Sequence, residues 1–138
     1  MRRLIILLCA VCLCSGLRAD TSAHDRKLLG LDAIRDITHA SRVCLRYCNE
    51  DETEKEALKA IAKANESLAA FRAALPEHDG SLEVFMQETM ARQLEAASMQ
   101  DLLALKAHDA HRTDVQDLAF LQVIDTLKMS LRLSDKTE

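Results

Sequence analysis

The side chains that could do chemistry in this chain are few and scattered. Cys44 and Cys48 form a C-x3-C pair, which on a helix sets both sulfurs on one face. With a third ligand such a pair could hold a soft metal ion such as Cu(I), or it could cycle as a redox dithiol. A disulfide, within one chain or between two, is the other reading. Four residues of helix rise ~6 Å, which the Cα limits of a disulfide tolerate. Cβ atoms at i and i+4 stand ~5–6 Å apart, however, and the bond needs ~3.5–4.5 Å. An internal disulfide therefore requires the last helical turn to loosen, whereas a bridge between two copies of the chain does not.

His108-x-x-His111, with Asp114 three residues on, is a second candidate for a divalent metal if one helix runs through all three. If the helix stops first, the two histidines are loop or end residues, and a histidine there suits the helix dipole. Asp36-x-x-His39 is half of the dimetal pattern of helical bundles, without the second copy that pattern needs. Met86 and Met90 lie one turn apart and could meet copper or haem, but methionine is also an ordinary core filler. Neither C-x-x-C-H, G-x-S-x-G nor H-E-x-x-H occurs, so no enzyme activity and no cofactor is expected. Asn65-Glu66-Ser67 is a glycosylation sequon close to an apolar helix seam, where a glycan would not fit.

These residues need elements to position them, and the chain begins with one of a different kind. Met1-Arg2-Arg3 is a short basic start, and residues 4–13 carry no charge. That apolar run suits a signal peptide and is too short for a bilayer, which takes ~20 residues. Small residues suited to signal peptidase fall between Gly16 and Ala23, with Ala19 preferred. The expected organisation is thus a signal peptide over 1–19 and one domain over 20–138, exported to the periplasm or the secreted space. Cleavage removes Cys9, Cys12 and Cys14 together with Arg2, Arg3 and Arg18. What remains has 15 basic residues against 22 acidic ones, a formal charge of −7. That balance argues against nucleic-acid binding and against anionic membrane surfaces. No stable membrane anchor is expected after cleavage.

The remainder is rich in Ala, Leu, Glu, Lys, Arg and Gln and poor in aromatic residues, Gly and Pro. Strong helix formers with few turn residues predict an all-α fold. A first helix is expected over 25–48, with Ile34, Ile37, Ser41, Cys44 and Cys48 at helical spacing. After the joint 49–52 a second helix runs to Leu75 along Ala57 or Leu58, Ile61, Ala64, Leu68, Phe71 and Leu75, and Pro76 stops it. The acid run from Glu50 to Glu56 suits the positive end of that helix's dipole, and a calcium or partner site is the sharper reading. Ser81 should cap a third helix reaching about Lys106, with Leu82, Phe85, Met86, Met90, Leu94, Ala97, Leu102 and Leu103 inward and a slip of register near 98–101. Thr113 to Gln116 reads as a capping box for a fourth helix, with Phe120, Ile124, Leu127 and Leu131 inward. Four such helices with short joints predict an up-down-up-down antiparallel four-helix bundle.

The expected function is non-enzymatic: an exported helical bundle that binds a protein partner or a second copy of itself, as an adaptor, inhibitor or chaperone would. The Leu- and Met-rich side of the third helix is the candidate face. The alternative is a small metal or thiol-redox carrier built on Cys44 and Cys48.

Overall fold

The computed structural model describes residues 21–77 and 80–136, so the signal-peptide reading of 1–19 lies outside the described residues. Four helices follow in order: α1 Ala23–Cys48, α2 Glu54–Ala74, α3 Leu82–Asp109 and α4 Thr113–Asp135. They form a four-helix bundle, and no strand occurs among the described residues. None of these helices is long and apolar enough to cross a membrane.

Local chemistry explains the starts. The hydroxyls of Ser22, Thr53 and Ser81 accept from the backbone N–H of Asp25, Glu56 and Val84, so three of the four helices open on a side-chain cap. The fourth does not. Thr113 is already helical, and the N-cap position falls to Arg112, whose guanidinium instead grips the Asp114 carboxylate two residues on. The expected capping box is therefore absent.

The reason lies in how α3 ends. His111 N–H donates to His108 O at 2.9 Å and Arg112 N–H to Ala107 O at 2.7 Å, the paired bonds of a Schellman motif. α1 ends identically, with Glu50 N–H on Tyr47 O and Asp51 N–H on Arg46 O. Such an ending needs one left-handed residue, normally Gly. Here Glu50 (φ 65°) and His111 (φ 55°) take the part. After α3 that leaves only Ala110, His111 and Arg112 before α4, and Thr113 falls inside the helix.

Cross-helix pairs fix the directions. Arg26 meets Gln87, Ser41 meets Asp101 and Tyr47 meets Asp109, so partners rise together along α1 and α3. Asp36 meets Ser67 and Arg46 meets Glu52, in opposite order on the two sides of that hairpin. Asn65–Ser98 and Arg72–Glu95 likewise run oppositely along α2 and α3.

Phe71, Ile37, Met90, Leu94, Val84 and Val123 are fully buried, and alanines fill much of the remaining core. Small residues let helices approach closely, and Gly30 shows how closely: a Cβ there would stand 2.5 Å from Met90 Cε and 3.3 Å from the Phe71 ring. The helix weakening that glycine causes is thus the cost of seating α1 against both neighbours.

The inward faces of α3 and α4 differ from expectation in part: Met90, Leu94 and Ala97 point in as expected. In α3, Leu82 is 71% and Phe85 61% exposed, while Val84, Gln87, Met90, Ala91, Leu94, Ala97, Ser98, Asp101, Ala104 and Leu105 point in. There is no slip near 98–101; α3 continues and its inner positions there are polar. In α4, Ala119, Val123, Ser130 and Ser134 are buried, Phe120 and Leu127 only partly, and Ile124 and Leu131 are exposed. Apolar size misleads here because the inner positions are small, as close helix packing demands.

Candidate functional site

Cys44 and Cys48 do share one face of α1, and it is the inner one: Cys44 is fully buried and Cys48 nearly so. Both thiols are free, and α1 stays helical to Cys48. No disulfide joins the two here, and a regular last turn holds the sulfurs apart. Burial first, then the carboxylate of Asp101 and the neighbouring Cys48, push the Cys44 thiol up to about 12. Burial and Asp109 push Cys48 up to about 11. The thiolate, which both metal binding and redox exchange require, is disfavoured at both. Among the described residues no group of three His, Cys, Asp or Glu side chains is placed to hold a metal ion.

His108 and His111 are separated by the end of α3. His108 sits on the last turn, half-buried, with Nδ1 3.2 Å from Gln116 Oε1 and its ring edge-on to Tyr47 at 5.2 Å. His111 lies in the joint in its left-handed conformation, exposed. Asp114 is held by Arg112, which lowers its pKa. Tyr47 Oη donates to Asp109 Oδ1 at 2.8 Å, and that bond, with burial, pushes the phenol up to about 12. Tyr47, His108, Asp109 and Gln116 thus latch α1, α3 and α4 together at one end.

Asp36 and His39 also diverge. Asp36 is buried and accepts from Ser67 Oγ at 2.5 Å and Arg35 Nε at 3.1 Å, whereas His39 is exposed. Burial alone would raise the Asp36 pKa; those two hydrogen bonds, with the charges of Arg35 and Lys63, outweigh it and hold the carboxyl low. Asn65 is exposed, and its Oδ1 accepts from Ser98 Oγ at 2.6 Å across the α2–α3 seam. Met90 is core, and Met86 is half-buried beside it.

The polar group that sequence reasoning missed is Asp101. It is fully buried on α3, its Oδ2 lies 2.8 Å from Ser41 Oγ, and Oδ1 has no partner. Burial lifts its pKa to about 7, against the Ser41 bond that lowers it. Ser41 Oγ also lies 2.9 Å from Ile37 O. A hydroxyl has one proton. Ser41 Oγ–H can donate to Asp101 Oδ2 or to Ile37 O, and only the first of these favours the ionised carboxylate. The signal for Asp101 was the apparent register slip, a polar residue on an inward helical position.

Two surface features remain. An open groove of about 630 Å³ between the end of α2 and the start of α3 is lined by Arg72, Leu75, Pro76, Glu77, Glu88, Ala91 and Arg92. Arg72 is already paired with Glu95 across it. Along the outward side of α3, Leu82, Phe85, Thr89, Arg92, Ala96, Met99 and Leu103 follow one another at alternating steps of three and four. This is the a/d spacing that seats one helix against another. Leu82, Phe85, Met99 and Leu103 on it are all exposed. Comparison with protein-family models, with curated proteins and with solved structures finds no match.

Proposed function

We propose that this protein is an exported, non-enzymatic binding protein that engages a helical segment of a partner protein along the outward stripe of α3. One observation carries the reading: a heptad-spaced row, apolar at Leu82, Phe85, Ala96, Met99 and Leu103, left in solvent on a helix whose core side is already packed. Large apolar side chains that fold onto nothing mark interaction surfaces. Their spacing suits a helix laid along α3. Arg92 at the middle of the row, flanked by Thr89, favours a partner helix with an acidic residue there. The export part of the reading rests on the sequence of residues 1–19. The carrier alternative is disfavoured by the raised pKa values of Cys44 and Cys48.

The test is to isolate the protein from its native compartment and weigh its complexes by light scattering, alongside Phe85→Glu and Met99→Glu. The reading expects a defined heteromeric complex for the natural chain and its loss in both variants, with circular dichroism unchanged. Complexes that survive both substitutions would place the binding elsewhere.

A further inference from the structure

We propose that α4 is a self-docking helix, through which two copies of this chain pair antiparallel about a two-fold axis. The surface concerned differs from the α3 stripe in every residue, so this proposal stands or falls separately from the reading above. α4 turns its smallest side chains to the core, Ala119, Val123, Ser130 and Ser134. Phe120, Leu127 and Leu133 pack against the core edge, but five more large apolar side chains, Leu118, Leu121, Ile124, Met129 and Leu131, are between 46% and 61% exposed. Leu121 lies opposite the buried edge, and Ile124 follows it one turn on.

Charge selects the occupant. On the same outward side, Asp114 and Asp117 lie toward the N-terminus and Lys128, Arg132 and Lys136 toward the C-terminus, with Asp125 and Asp135 as two acids among the bases. Among the described residues, Asp117, Asp125, Lys128 and Arg132 form no ion pair within the chain, while Asp114 is shared with Arg112. A face with net negative charge in one half and net positive charge in the other is complementary to its own reversed copy. With the two-fold axis level with residues 122–123, Asp117 of each copy stands level with Lys128 of the other, and Asp114 with Arg132. Leu121 of each copy then meets Ile124 of the other at the centre. A parallel arrangement would oppose like charges and align the helix dipoles unfavourably. An isologous contact of this kind closes at two copies. One helix pair is a small interface, so the expected dissociation constant is on the order of micromolar.

Sedimentation equilibrium of the chain as isolated, from about 1 to about 200 µM to bracket that range, tests this. The proposal expects a species of twice the chain mass that weakens with added salt. Leu121→Glu should remain single throughout. Asp117→Lys alone should raise the dissociation constant about ten-fold. Asp117→Lys combined with Lys128→Asp should recover most of that loss, which a merely structural disturbance of α4 would not allow. A natural chain that stays single at the highest concentration overturns the proposal. So does a dimer indifferent to Leu121→Glu, or a double variant no tighter than Asp117→Lys alone.

Discussion

Replacing Asp101 by Asn should make the protein more stable at alkaline pH and change the shape of its stability–pH curve. The carboxyl is fully buried, has one oxygen without a partner and titrates at about 7 rather than at its unperturbed value. An acid whose folded pKa is raised binds more protons folded than unfolded between the two values. Its contribution therefore becomes steadily less favourable from about pH 4 to about pH 7 and is flat beyond. Three pKa units correspond to about 4 kcal/mol of destabilisation once the group is ionised. Asparagine cannot ionise, so it escapes that cost, but its amide brings a donor that the site does not serve, a penalty of about 1–3 kcal/mol. The net expectation is a gain of about 1–3 kcal/mol at pH 8 that shrinks to nothing or reverses near pH 5. Urea denaturation followed by far-UV circular dichroism, repeated across that range for both chains, measures it. A difference between variant and natural chain that does not change with pH would refute the reasoning, because only the ionisation of Asp101 distinguishes the two across that range.

Other consequences follow from single contacts. Cys44 should resist a soluble thiol reagent in the folded protein and react fully in denaturant, since burial and Asp101 hold its pKa at about 12; fast labelling of the native chain would contradict its placement. His111→Gly should raise stability by about 0.5–1 kcal/mol in thermal melts, because glycine adopts the left-handed conformation without the Cβ penalty. Gly30→Leu should lower it by about 1–3 kcal/mol, because the larger side chain meets Met90 and the Phe71 ring, whereas Gly30→Ala should be milder since the Met90 methyl can swing away. Ser67→Ala should cost about 1–3 kcal/mol by leaving a buried oxygen of Asp36 without its donor.

Much of the fold was legible in the residues. The Ala-, Leu- and Glu-rich composition, the period of Ile61, Ala64, Leu68 and Phe71, the Ser81 cap and the Pro76 stop each lead to the helix that is present. The joints after α1 and α3 were harder, because their left-handed positions are Glu50 and His111 and no glycine announces a Schellman ending. That is why α3 runs on past Lys106 to Asp109, taking His108 into the helix and away from His111. The faces of α3 and α4 are only partly legible for one shared reason: Met90, Leu94 and Ala97 do point in, but hydrophobic size marks the outward stripe of each helix as strongly as the inward one. Where Leu82 and Phe85 compete with Val84 and Gln87, only packing against α1 and α2 decides. The candidate sites suffered likewise. Spacing alone set Cys44 and Cys48 on one face, which holds, but could not say that the face is a dry core. Asp101 looked like an interruption of pattern and is instead a buried carboxyl hydrogen-bonded across the bundle.

The central claim is that the outward stripe of α3 is covered by a partner helix. A photo-crosslinking amino acid placed in turn at every solvent-facing position of α3, in the protein's native compartment, reads that cover directly. Adducts to one partner are expected at positions 82, 85, 89, 92, 96, 99 and 103, falling away at positions between them, with the alternating three- and four-residue rhythm of a helix lying on a helix. Adducts spread evenly along α3, or confined to other faces of the bundle, would contradict it.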